Sequence, residues 1–120
     1  EFRRVLFRSN SFSVGAGEVW EIRIPLFFAS GATPDLKIGW TVPSGTTMKW
    51  SINTAGAAVS TESDTVSVSG GTGNRVSALF GVVVVSSTAG TVQMQFAQNT
   101  SDAGDTTLQE NTVIIATKIL

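Results

Sequence analysis

Apolar and polar side chains alternate along most of this chain with a period of two residues. From Trp20 to Phe28 the even positions are all apolar, and Glu21 and Arg23 occupy polar positions between them. The same alternation recurs in 36–42, 48–52, 66–68 and 92–96. This pattern is typical of strands with one face on a core and the other toward solvent. The three Trp residues fall on the apolar faces, so we expect them in the core and not on a surface that stacks on sugars.

Two segments, 76–85 and 113–120, are apolar at nearly every position and so break the alternation. A strand that is apolar on both faces needs a cover on both, and a sandwich of this size has one interior. We therefore expect a second subunit to cover the other face. The residues expected at that contact are Val83, Val85, Ile114 and Ala116. The alternative is a central strand beneath a long loop.

Turn segments rich in Gly and Ser, such as 31–34, 43–45 and 70–74, separate the strands at short spacing. About seven or eight short strands with such turns predict an all-β fold, an antiparallel β-sandwich of the jelly-roll type. Pro25 lies within an otherwise strong strand, so we expect it at an edge position or a bulge. No segment has a convincing helical period.

The first nine residues differ from the rest, because three of the eight Lys and Arg residues are found there. Their sequence matches the in-frame translation of a common sequencing-adapter oligonucleotide. We expect residues 1–9 to be an artefact outside the fold and 10–120 to be a single domain. Since the chain does not open with Met, we also expect a fragment truncated at its N-terminus. The alternatives are a basic arm and a signal-peptide remnant, which would need a longer apolar stretch.

Composition excludes several classes of function. The chain has no Cys and no His, which removes disulfides, thiolate metal sites and the commonest general base. The formal net charge of −1 offers no electrostatic footprint for nucleic acid. No apolar run approaches the roughly 20 residues that span a bilayer. Without a nucleophile motif such as G-x-S-x-G, we expect neither an enzyme nor a cofactor.

The densest acidic segment offers oxygen atoms of the kind that bind Ca²⁺. It contains Asn99, Asp102, Asp105 and Glu110. Their spacing matches no defined calcium loop, so we interpret the segment as a solvated hairpin loop and expect no metal site.

Parts of the chain resemble a known family. Residues 90–101 (GTVQMQFAQNTS) and 112–120 (TVIIATKIL), joined by a short acidic loop, resemble the closing hairpin of one particular domain. That domain is the C-terminal jelly roll of tailed-bacteriophage virion proteins, the tail-fibre, head-fibre and minor tail group. Residues 35–46 (DLKIGWTVPSGT) are similar to a strand and loop of the same domains. These domains in turn resemble the trimeric heads of the tumour-necrosis-factor and complement-globular-head superfamily.

The resemblance implies a homotrimer in the virion, packed about a threefold axis, with exposed loops at its tip and no catalytic residues. The expected partner is a host cell-surface receptor, a saccharide or another virion protein, with no nucleic acid and no membrane. The candidate loop contacts are Thr33, Asp35, Ser44, Thr46, Asn99, Ser101, Asp102 and Asp105.

Three other functions stay open. One is a monomeric carbohydrate-binding module of a secreted bacterial protein, which an exposed, coplanar Trp platform would favour. Another is a capsid decoration or scaffold domain without a ligand. The third is a bacterial surface or exosporium-type trimer of the same superfamily, which an upstream collagen-like repeat would support.

Overall fold

The protein is a β-sandwich. The structure is a computed structural model that describes residues 3–7, 10–30, 35–52, 58–100, 103–104, 106–109 and 112–120. Every regular element among these residues is a β-strand, and the strands form two antiparallel sheets. The predicted all-β antiparallel sandwich is confirmed.

The described residues hold more strands than the expected seven or eight, because several are very short. The eleven strands are β1 (Arg3–Phe7), β2 (Ser11–Val14), β3 (Val19–Ser30), β4 (Leu36–Thr41), β5 (Thr47–Ile52), β6 (Ser60–Thr61), β7 (Val66–Val68), β8 (Gly71–Val84), β9 (Gly90–Gln98), β10 (Thr107–Leu108) and β11 (Ile114–Lys118).

The chain passes from one sheet to the other at nearly every connection. The larger sheet has the order β1-β11-β3-β8-β5-β6, with β10 also paired to β3, and the smaller sheet has the order β2-β9-β4-β7. The longest ladder joins β3 to β8. The expected closing hairpin is wrong, because β9 lies in the smaller sheet and β11 in the larger one.

The alternation predicted most of the buried positions correctly. Every even position of β3 from Trp20 to Phe28 is buried. Trp20, Trp40 and Trp50 are at most 8% exposed, which confirms their prediction as core residues. The rings of Trp40 and Trp50 meet edge to face, with centroids 6.1 Å apart. Aromatic packing therefore contributes to the core, and none of the three indoles forms a surface platform.

The N-terminal segment was expected to lie outside the fold, but Arg3–Phe7 forms β1 at the edge of the larger sheet. In this antiparallel pair Arg3 lies opposite Lys118 and Phe7 opposite Ile114. The other side of β11 pairs with β3. Since the ladder uses backbone groups, the edge of β11 that faces away from β3 can pair with an extended segment such as β1 with little demand on its sequence.

Pro25 lies at a local edge of the larger sheet. In β3 it faces Ala78 of β8, so one side of the strand is paired. On the other side, the pairing with β11 ends at Arg23, and β10 resumes it at Phe28. The interruption falls where proline has no N–H to give to a ladder.

Candidate functional site

The outward faces of the two sheets differ in polarity. On the smaller sheet, Gln93 lies between Ser11 and Thr41, and Ser13 lies opposite Thr91. Polar side chains therefore follow one another across this face. The larger sheet presents mostly apolar side chains instead, and its outward face is the candidate interaction site of the domain.

We call this surface the apolar face. It consists of Val76, Ala78, Phe80, Val82 and Val84 of β8, Val19, Pro25 and Phe27 of β3, and Ile115 of β11. Val76 is 61% exposed, and Phe80 and Val84 are each 46% exposed. With strands about 4.8 Å apart and a rise of about 3.3 Å per residue, the face covers on the order of 400 Å². The largest apolar patch on a typical monomer covers about 300–600 Å² and is often functional.

The charges within the apolar face neutralise one another. The Arg23 Nε lies 2.8 Å from the Glu21 Oε1. The guanidinium of the same Arg23 lies over the ring of Phe80, 5.2 Å from its centroid. This pair is exposed and contributes little stability by itself. The pair itself carries no net charge, and the exposed Lys49 lies beside the face, opposite Val82.

The four residues expected at a subunit contact lie inside the protomer instead. Val83 and Ala116 are 0% exposed, Ile114 is 1% and Val85 is 3% exposed. They face the interior of the sandwich, so they are not available to a neighbouring subunit. The residues predicted for a subunit contact therefore lie on the inward side of the larger sheet.

Packing around Gly81 explains why this side of β8 faces inward. A Cβ on Gly81 would lie 2.9 Å from the Cβ of Trp50 and 3.3 Å from Cγ1 of Ile22. Only a residue without a side chain lets β8 approach the core so closely. The inward side of β8 therefore holds Ser77 and Gly81, and the bulkier Val76 and Phe80 are on the outward side.

Apart from Asp35, the predicted loop contacts divide into three groups. Thr33, Ser101, Asp102 and Asp105 lie outside the described residues. Ser44 and Asn99 are exposed and available to a partner. Thr46 is only 3% exposed, so its prediction is wrong. It points inward because it precedes β5 with the same parity as the buried Met48.

Asp35 organises its own loop. Its backbone has the left-handed conformation, with φ of 49°, which Asp tolerates better than most residues. Its Oδ1 accepts a hydrogen bond from the Gly70 N–H at 2.7 Å. The carboxylate thus joins the loop before β4 to the turn before β8, and part of its hydrogen-bonding capacity is already used.

An ion pair joins the start of β3 to the end of β11. The Lys118 Nζ lies 2.7 Å from Glu18 Oε2, and this contact holds the pKa of Glu18 below its ordinary value of 4.5. The Gly15 N–H and, at 3.3 Å, the Trp20 Nε1 also donate to this carboxylate and lower its pKa further. The arrangement suits a structural pair, because the lowered pKa keeps the carboxylate charged and unable to accept a proton near neutral pH.

The described part of the chain shows no group of three acidic side chains that could hold a metal ion. Within the same residues, the structure has no helix of a length and apolarity that would cross a bilayer. The feature that sequence reasoning missed is the exposed row Val76, Phe80 and Val84. The small residues Ser77 and Gly81 alternate with that row in the sequence, and they could have indicated that the bulkier residues face outward.

Comparison with protein-family models, with curated proteins and with solved structures finds no match to this chain.

Proposed function

We propose that this chain is a virion structural domain of a tailed bacteriophage, which assembles as a homotrimer through the apolar face and binds a partner through its exposed loops. The observation that carries the assembly is the exposure of Val76, Phe80 and Val84 in the middle of the larger sheet. Burial of such side chains contributes about 25 cal/mol for each Å² removed from water.

A second copy of this chain fits the apolar face. Glu21 and Arg23 pair with each other, so the charge that two copies would have to place at the margin of this face is that of Lys49, which lies opposite Val82. Most soluble oligomers are symmetric assemblies of one chain. The number three comes from the resemblance to the trimeric heads.

Two features support the jelly-roll and virion parts of the proposal. The chain crosses between the two sheets at nearly every connection, as expected for a double-sheet jelly roll,. The resemblance of residues 35–46 to a strand and loop of virion domains supplies the biological setting.

Binding in this proposal depends on several weak contacts. Ser44 and Asn99 are exposed loop residues with groups that donate and accept hydrogen bonds,. Three copies on one rigid head multiply a weak single-site affinity through effective concentration. A host surface with repeated receptors, or a symmetric virion component, offers the matching repeated partner.

The molar mass of the domain in solution tests the assembly. Light scattering over a dilution series is expected to give the mass of three chains for the wild type. Phe80→Glu places a carboxylate in the middle of the apolar face, so we expect monomers. Gln93→Glu adds the same charge on the smaller sheet and is expected to stay trimeric. A wild type that is monomeric at every concentration, or a trimeric and folded Phe80→Glu variant, contradicts the proposal.

A further inference from the structure

Two residues of opposite charge flank the apolar face at the same level of the sheet. Glu21 of β3 lies opposite Val82 of β8 in one ladder, and Lys49 of β5 lies opposite the same Val82 in the other. Residues directly opposite each other share one face of a sheet, so both charged side chains point outward, with Val82 between them. With strands about 4.8 Å apart, the Cα atoms of Glu21 and Lys49 are roughly 10 Å apart.

Within the protomer, only one of these two charges forms an ion pair among the described residues. The Glu21 Oε1 accepts a hydrogen bond from the Arg23 Nε at 2.8 Å. Lys49 is exposed, its other ladder neighbour is the uncharged Thr61, and no described carboxylate forms an ion pair with it. A copy that packs on the apolar face therefore either leaves Lys49 unpaired or brings a carboxylate to it.

The symmetry of a closed assembly determines which residues meet. Rotation about an axis parallel to β8 produces no shift along that axis, so contacts form between positions at the same level of the strands. Because β8 lies between β3 and β5, the β3 side of one copy meets the β5 side of the next around such an axis. Glu21 and Lys49 are at the same level, so each Lys49 meets Glu21 of the neighbouring copy.

The next level of the sheet is compatible with the same axis. Arg23 and Ser51 both lie opposite Phe80, on its two sides. Arg23 therefore meets Ser51 of the neighbouring copy, whose hydroxyl can accept a hydrogen bond, and it does not meet another cation.

An axis that crosses the strands at Val82 would give a different set of contacts. It would place Glu21 against Glu21 of the neighbouring copy, and Lys49 against Lys49. Like charges brought together across an interface are unfavourable. The charge pattern of the face therefore favours the axis that runs along β8.

We propose that Lys49 of each copy forms an ion pair with Glu21 of the neighbouring copy, and that this pair sets the orientation in which the apolar faces meet. The inference rests on the proposed self-association through the apolar face. Glu21 keeps Arg23 as a second partner, since a carboxylate has two oxygens that accept hydrogen bonds. The apolar side chains provide the main driving force, and the ion pair provides specificity, which is the chief effect of complementary charges at an interface.

Charge reversal tests the pair, with light scattering over a dilution series of the full chain. Lys49→Glu places a carboxylate against Glu21 of the neighbouring copy, and Glu21→Lys places an ammonium group against Lys49. Each substitution is expected to raise the concentration at which half of the chains are assembled by about tenfold or more, because like charges then meet at every contact. The variant with both substitutions has opposite charges at every contact again and is expected to assemble at nearly the wild-type concentration.

Lys37→Glu is the matched control. Lys37 lies on the smaller sheet between Ser67 and Ala97, so the substitution makes the same change of charge away from the apolar face. It is expected to assemble like the wild type, and circular dichroism checks that every variant is folded. If Lys37→Glu weakens assembly as strongly as Lys49→Glu, the cause is net charge, and the ion pair is overturned.

A mixture of the two single variants reports how many copies close the assembly. In a ring of three, two neighbouring copies are always the same variant, so one contact joins like charges, and the mixture is expected to assemble less well than the doubly substituted variant. In an assembly of two, one copy of each variant has opposite charges at both contacts. Mixed complexes with the mass of two chains would therefore support the ion pair and contradict the trimer.

The ion pair is overturned if both single variants are folded and assemble at wild-type concentrations, or if the doubly substituted variant stays as weak as either of them. Those results leave assembly through the apolar face intact. A wild type that is monomeric at every concentration would instead contradict the assembly itself, and the ion pair with it. Failure of this inference is thus distinguishable from failure of the proposed function.

Discussion

The hydroxyl of Thr112 forms hydrogen bonds with both backbone groups of Phe27, whose carbonyl also accepts one from the Gln109 N–H. It accepts a hydrogen bond from the Phe27 N–H at 2.9 Å and donates one to the Phe27 carbonyl at 3.1 Å. Thr112 lies between β10 and β11, where neither strand pairs with β3. The side chain replaces a missing ladder partner next to the gap at Pro25, so the break leaves no buried backbone donor unpaired at Phe27.

Replacement of this hydroxyl by a methyl group is expected to destabilise the domain. Thr112→Val keeps the shape but leaves the Phe27 N–H without its partner, which costs about 1–3 kcal/mol. Thr112→Ser keeps the hydroxyl and is expected to retain most of the stability. The free energy of unfolding in urea measures both effects.

Thr46→Val makes the same chemical change at another buried site. The Thr46 Oγ1 is buried and has no hydrogen-bond partner among the described residues. Its replacement is therefore expected to leave the free energy of unfolding unchanged or to raise it by up to about 1 kcal/mol. Equal losses in Thr46→Val and Thr112→Val would show that the bonds to Phe27 are not the cause.

Adjacent valines on β8 are expected to respond differently to truncation. Val83 is 0% and Val84 46% exposed. Val83→Ala leaves a cavity in the core and is expected to cost about 2 kcal/mol, with a lower urea midpoint at every protein concentration. Val84→Ala is expected to cost below about 0.5 kcal/mol in the monomer and to weaken only self-association. The opposite order of effects would reverse the assignment of faces.

The sequence correctly predicted which side of a strand is buried where polar residues alternate with apolar ones. It did not predict the buried side where both sides of the strand are apolar. Glu21 and Arg23 identify the outward side of β3, so its core positions could be predicted. In 76–85 both sides are apolar, and the inward side is decided by how closely Gly81 approaches Trp50. That contact joins distant parts of the chain, which a period of two residues does not describe.

Asp35 is expected to matter for stability. Asp35→Ala removes the acceptor for the Gly70 N–H and places Ala at φ of 49°. We expect it to lower the free energy of unfolding by about 1–3 kcal/mol. Asp35→Asn keeps a side-chain oxygen and tolerates the left-handed conformation, so it is expected to stay close to the wild type. Thermal unfolding of the two variants is the measurement, and equal losses would contradict this role.

The pair between Glu18 and Lys118 is expected to make stability depend on pH. The pKa of Glu18 is lower in the folded protein than its ordinary value of 4.5. The stabilisation is therefore complete above about pH 5 and is lost as the pH falls through the folded pKa. Because Lys118 is 38% exposed, solvent screening limits the contribution to about 1 kcal/mol or less.

Glu18→Gln isolates this contribution. Its free energy of unfolding is expected to lie below that of the wild type at neutral pH, and the difference is expected to disappear in strong acid. Urea denaturation at a series of pH values measures it. A difference that persists unchanged in acid would mean that Glu18 acts through packing and not through its charge.

The candidate sites were harder to predict than the fold. Phe96 continues the apolar alternation of β9, so its sequence position indicated a buried residue, but it is 42% exposed. Ser44 and Asn99 were predicted from turn composition and are exposed, whereas Thr46 belongs to the same turn but points inward. The exposure of a residue at the end of a strand depends on where the neighbouring strands of the sheet end, and the local composition does not specify this.

The passage of the chain between sheets affects how the domain can fold. Among the described strands, β5 and β6 are consecutive and paired, but most pairings join distant strands, and β3 and β8 must meet across the intervening strands before the longest ladder exists. Folds built from such distant pairings form slowly. Until that meeting, the valines of β8 form an unprotected segment of high β-propensity, which is prone to aggregate. We therefore expect the yield of soluble protein to improve when synthesis is slowed and the concentration of nascent chains is kept low.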